Sequence, residues 1–100
     1  MRLPRSVTVL GDKIAIIEVT DKQMAPYCEP DEDILGLALL LENKILILKD
    51  IPHKEKLRVV AHELFHIVIY KMGLRPNPTA EEVFCQAFAI AHAQLKGQGI

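Results

Sequence analysis

The chain has no tryptophan, only five aromatic residues and only two cysteines in 100 positions. Its charges nearly cancel, twelve basic against thirteen acidic side chains, for a formal net charge of -1. Each scarcity removes a class of function. Basic residues are scattered, without a run of five or more Lys and Arg to neutralise phosphates and with few rings to stack on bases, so no nucleic-acid partner is expected. No apolar run approaches the ~18 residues of a membrane span, and Arg2 and Arg5 are not followed by the apolar segment of a secretory leader. The expected location is cytoplasmic, with no membrane partner. Cys28 and Cys85 are expected as free thiols rather than a disulfide. Half of the residues are apolar, enough for one core but not two, so residues 1–100 are expected to form a single domain.

What the chain does have is His62-Glu63-Leu64-Phe65-His66, set inside an apolar run from Val59 to Val68. At ~100° per residue, histidines four apart project from one helical face, and both imidazoles can reach one ion. Zinc accepts such nitrogens, and a carboxylate beside the ion can take the proton of a water that attacks a carbonyl. The competing reading is a pair of core histidines hydrogen-bonded to backbone or water. The aliphatic flanks, and a second helix carrying a carboxylate, favour the metal.

The remaining chain reads as an α+β domain. Ser6 to Leu10 and Lys13 to Val19 are β-rich runs around Gly11-Asp12, a hairpin signal. Thr20 to Asp33, with Pro26, Pro30 and the acids Glu29, Asp31, Glu32 and Asp33, is expected as a solvated loop or a short helix. Leu37 to Leu41 and Lys44 to Lys49 form a second hairpin around Glu42-Asn43. Its leucines point to both faces, so it is either covered on two sides or paired with another copy, which makes a homo-oligomer an expectation. Asp50 is the expected N-cap, with Pro52 in the first turn, of a helix from about His53 to Met72. Its expected stripe is Leu57, Val60, Ala61, Leu64, Val68 and Met72. Gly73 ends it, and Thr79 starts a last helix to about Lys96 whose expected core face is Val83, Phe84, Ala87, Ala91 and Leu95. The architecture expected is a small mixed sheet of two hairpins packed on the central helix and the helix that follows.

Two histidines leave a zinc ion short of ligands, because catalytic sites use three and keep one position open. Glu81, Glu82, Cys85, His92 and His53 are the candidates. Residues 82, 86, 89 and 93 share a helical face, and Ala89 and Ala93 are small enough to let the ion and its helix approach, which favours Glu82. Thr79-x-x-Glu82 is also a capping box, in which that carboxylate would fold back on the Thr79 amide.

His62-Glu63-Leu64-Phe65-His66, followed sixteen residues later by Glu82-Val83-Phe84-Cys85-Gln86-Ala87-Phe88-Ala89, resembles the active site of the gluzincin metallopeptidases, the thermolysin-like clan. The segment from Gly36 into Ile51-Pro52 is similar to short gluzincins related to phage-repressor-inactivating peptidases, and the size resembles the minigluzincins. The resemblance covers about residues 34 to 92. It implies one zinc ion per chain held by His62, His66 and Glu82, Glu63 as catalytic base, and Gln86 orienting a histidine ligand. Three positions depart from the family. Phe65 stands where glycine is common, implying a more crowded floor. Gln86 replaces Asp or Asn, and an amide adds no basicity to its histidine. The group that steadies the tetrahedral oxyanion is not marked, Tyr70 and His92 being the candidates.

The function expected is zinc-dependent peptide-bond hydrolysis, with the peptide or protein substrate bound as an extended strand along the second hairpin. The Gly-flanked tail ending in Ile100 suggests latency, through a terminal segment of the same or a neighbouring chain lying in the cleft. The alternative is a non-catalytic zinc-stabilised interaction or regulatory domain, which has no use for a carboxylate at position 63.

Overall fold

A computed structural model describes residues 3–29, 34–74 and 77–97. The end of the tail and the acids Asp31, Glu32 and Asp33 lie outside the described residues, and with them the latency expectation. The chain folds as α+β with a four-stranded mixed sheet. Strands β1 (Ser6–Val9) and β2 (Asp12–Val19) form the first hairpin, with Val9 opposite Asp12. Its two loop residues are therefore Leu10 and Gly11, one position earlier than expected. Both have positive φ, +50° and +86°, the combination whose twist matches paired strands.

The second hairpin joins β3 (Gly36–Leu39) to β4 (Lys44–Leu48) through a four-residue loop. β4 lies parallel to β2, so the order is β1-β2-β4-β3 and β3 is a free edge. Alternation along the strands divides the side chains between two faces. Ile14, Ile16, Ile45 and Ile47 meet Val59 and Ile67 on one face. Leu46 and Val19 meet Met24 on the other, with Leu37, Leu39 and Leu48 around them. The hairpin is thus covered on both sides within one chain. The back cover is the segment after β2, a single turn α1 (Asp21–Met24) continued by a 3-10 turn. Thr20 and Gln23 cap α1 reciprocally, which holds Met24 at 2% exposure beneath the sheet.

The long helix α2 spans His53–Lys71. Asp50 is not its N-cap. Pro52 is, without a side-chain bond, because its own carbonyl already accepts from Lys56 N–H at 3.0 Å. Met72 closes the far end as C-cap. Gly73 N–H and Leu74 N–H bond back to the carbonyls of Tyr70 and Ile69, a Schellman ending. Lys56 pairs with Glu18, and Lys71 with Asp12 at 2.7 Å, so both ends of α2 are tied to β2. The buried residues of α2 are Val59, Ala61, Ile67 and Ile69, of which only Ala61 belongs to the expected stripe, and Met72 is 60% exposed beyond the helix end. Val60 and Leu64 are half-buried against the same cluster. The helix faces two neighbours at once, the sheet and helix α3 (Pro78–Gly97), so its buried arc is wider than a single stripe.

The core face expected for α3 is also displaced. Among the described side chains Cys85 and Ala89 are fully buried, whereas Val83 and Phe84 are more than half exposed; Ala91 and Leu95 lie outside the described side chains. Nearly charge-free beyond its first turn, α3 has no unique apolar stripe. Polar contacts to α2 and small side chains at 85 and 89 decide which side turns inward. Among the described residues no helix is long and apolar enough to cross a membrane.

Gly36 lets β3 lie directly on α2. A Cβ there would stand 2.4 Å from Val59 Cγ1 and 3.6 Å from Glu63 Cγ. Val59 is buried and has little room to yield, so Gly36→Ala should lift the edge strand and cost about 1–3 kcal/mol, read as a lower urea midpoint with an unchanged slope.

Candidate metal centre

Helix α3 begins at Pro78 because Asn77 caps it, its Oδ1 accepting from Ala80 N–H at 2.8 Å and its carbonyl from Glu81 N–H. Thr79 therefore lies inside the first turn, the Thr79–Glu82 capping box does not form, and the Glu82 side chain is free to turn toward α2. The two helices run antiparallel, which sets Glu81 and Glu82 beside His66 and Gln86 beside His62.

Adjacent helix positions diverge by ~100°, so the two glutamates reach different atoms. Glu82 faces both Nε2 atoms, Oε1 at 2.6 Å from His62 and Oε2 at 3.4 Å from His66. Glu81 instead reaches the opposite ring nitrogen of His66, with Oε2 2.5 Å from Nδ1. Gln86 Oε1 lies 3.1 Å from Nδ1 of His62. A carboxylate can only accept, so Nδ1 of His66 carries the proton, and the amide oxygen of Gln86 asks the same of His62. Each ring also turns Nε2 toward the Glu82 carboxylate, and an Nε2 so placed either carries a proton of its own or, as a lone pair, shares a cation with that carboxylate. Acceptors crowded this closely repel unless they share a cation. His62, His66 and Glu82 each offer one atom within 4.8 Å of the others, a set able to hold a metal ion.

Glu63 stands beside this group, its Oε2 4.0 Å from Nε2 of His62 and its side chain 13% exposed. It accepts a hydrogen bond from the backbone N–H of Ala38 in β3. Burial holds its carboxyl above the usual range; the two histidines pull it down, and Glu82 adds to the rise. A cleft of about 440 Å³ opens over the group, lined by Ile34, Gly36, Leu37, Ala38, Leu40, Glu63, His66 and Glu82. Its chemistry is a carboxylate and two imidazoles that can hold a cation, a second carboxylate positioned to exchange a proton, and an apolar wall ending in a free strand edge.

No family model, curated protein or solved structure matches this chain.

The other candidates fall elsewhere. Phe65 does not crowd the cleft floor; it stacks on Phe88 between the helices, centroids 4.7 Å apart. His92 stacks against Phe88, centroids 6.2 Å apart, and Tyr70 is 39% exposed past the cluster; neither is among the described cleft-lining residues. His53 is exposed at the start of α2, more than two turns before His62. Cys85 is buried one turn after Glu81 and Glu82. Burial, then the charges of Glu81, Glu82 and Glu63, push its thiol up to about 12, so it stays protonated and is a poor ligand. Cys28 is also free, half-buried with the back cover. Sequence reasoning missed two contacts. Glu81, weighed as a ligand, holds His66 in place, for which the Glu-Glu pair was the available signal. The Ala38 amide on Glu63 left none, being backbone.

Proposed function

We propose that this chain is a zinc-dependent peptide hydrolase of the gluzincin type. The observation that carries the reading is the inward set of donor atoms: the two Nε2 atoms and the Glu82 carboxylate converge, while Glu81 and Gln86 hold the far side of each ring. This donor set fits zinc, with two nitrogens and one carboxylate and a fourth position left for chemistry. Zinc bound there supplies Lewis-acid activation of water and of a carbonyl.

This chain's residues do the rest. Glu63 takes a proton from the attacking water and delivers it to the leaving amine. Its burial keeps its affinity for that proton high, and the Ala38 amide fixes the carboxylate's direction. A buried carboxylate costs stability that a purely structural metal site has no reason to bear, which favours catalysis over the interaction-domain reading. The edge strand supplies substrate binding. Leu48 N–H bonds to the Leu35 carbonyl, so in the antiparallel register the odd positions of β3 pair with β4, and the polar groups of Gly36 and Ala38 point to the open edge above the cleft. An extended peptide can pair there through its main chain, with the groups of Gly36 and the Ala38 carbonyl, the Ala38 N–H being held by Glu63.

The direct test is hydrolysis of an unstructured polypeptide, abolished by a chelator and restored by zinc. Hydrolysis insensitive to chelation, or none in zinc-loaded protein, rejects the reading. Glu81→Gln is expected to keep the fold but lose the anion that raises the basicity of His66. Zinc affinity should fall roughly 10-fold, the lower end of the ~10–100-fold effect of such partners, as read by competition with a chromophoric chelator.

A further inference from the structure

From Val83 to Leu95 thirteen consecutive residues of α3 carry no Asp, Glu, Lys or Arg. A helix so apolar on all sides belongs inside a protein, yet up to Ile90 the described side chains of α3 are buried on only one side, against α2. Ala80, Val83, Ala87 and Ile90 follow one another at spacings of three, four and three, the seam of a helix that packs lengthwise on another helix. Opposite the buried Cys85, this seam faces outward. Val83 is 59% and Ile90 47% exposed, with Phe84 at 55% beside them and Ala87 exposed between.

We propose that this face is the interface of a homodimer in which two copies of α3 pack antiparallel about a two-fold axis at Ala87. Val83 lies four residues before it and Ile90 three after. The axis brings Val83 and Phe84 of one copy level with Ile90 of the other, and the alanines let the two backbones approach closely. Neither copy brings a charge to the contact, so self-pairing meets no repulsion. At roughly 150–250 Å² per large side chain, the exposed parts of Val83, Phe84 and Ile90 leave roughly 300 Å² of apolar surface on each copy. Two copies bury roughly 600 Å² from these side chains alone. With a polar rim, that is the apolar centre of a dimer near the lower end of the ~1,200–2,000 Å² range. Glu82 and Gln86 lie roughly 80–120° around the helix from the seam, so the pairing leaves the cleft open. The inference is independent of metal and of hydrolysis.

Sedimentation of the whole chain at micromolar to submillimolar concentration tests it. The native chain is expected to sediment with the mass of two chains. Ala87→Glu, which sets like charges against each other at the axis, and Ile90→Lys should each sediment as one chain while keeping the native far-ultraviolet circular dichroism. A native chain that is monomeric throughout, or a dimer that survives both substitutions, overturns the proposal. Should the charged variants fail to fold, Ala87→Cys in a Cys28→Ser background decides. Mild oxidation should yield a covalent dimer, whereas cysteine at the exposed edge position Thr8 in the same background should not. Equal cross-linking at both positions, or none at 87, also overturns it.

Discussion

Glu63→Gln is expected to abolish peptide hydrolysis, by roughly 10²–10⁴-fold in kcat, while zinc content stays at the native level. The amide has nearly the shape of the carboxylate, keeps an oxygen to accept from the Ala38 amide, and is not one of the three converging atoms. What it cannot do is hold the proton. The same substitution has a stability signature of opposite sign. The folded-state pKa of Glu63 is raised, chiefly by burial, so the native state binds that proton more tightly than the unfolded chain does. Its contribution is present in full below the unfolded value of 4.5 and is lost as pH rises through the raised folded value. Metal-free Glu63→Gln should therefore melt at a higher temperature than the metal-free native chain at neutral pH, and the gap should close in acid. A gain in stability together with a loss of activity marks a residue retained for chemistry. If hydrolysis persisted in Glu63→Gln, the proton-transfer assignment would be wrong.

Glu82→Ala is expected to lose the metal itself. Removing one of three protein ligands should weaken zinc binding by more than the ~10–100-fold that removing an orienting partner costs. Zinc at about 100 times its dissociation constant stabilises a fold by about 2.7 kcal/mol, and in a domain of this size each kcal/mol is worth about 4–8 °C. Native protein should thus melt roughly 10–20 °C higher with zinc than without, and Glu82→Ala should show almost none of that shift. Calorimetry with and without zinc reads both. A full shift in the variant would move the third ligand to Glu81, whose carboxylate would then have to leave Nδ1 of His66.

The parts legible in the sequence were those in which one residue type has one strong preference. The two hairpins followed from apolar, β-prone runs broken at Gly11-Asp12 and Glu42-Asn43, and the metal-capable face followed from histidines four apart. The choice between Glu81 and Glu82 was not legible. It depended on whether Thr79 or Asn77 caps α3, a difference of two residues at a helix start, where both side chains cap well. The orientation of α3 failed for the opposite reason. Its apolar residues surround it, so periodicity selects no side, and the helix turns by where the glutamates and Gln86 find partners. The cover behind the sheet was legible only as a short helix. That Met24 closes the core there is decided by the parallel pairing of β2 with β4, a contact between segments far apart in sequence. The cleft wall has a similar origin, since Gly36 and Ala38 matter through backbone position rather than side-chain chemistry.

The central claim, that His62, His66 and Glu82 form a zinc site, is tested most directly by elemental mass spectrometry on protein purified without a metal-affinity tag, native and Glu82→Ala in parallel. One zinc per native chain and a sharp loss in the variant are expected. Native protein that carries no zinc and takes none up on reconstitution would contradict it, leaving the convergent acceptors to be held together by protons on the imidazoles alone.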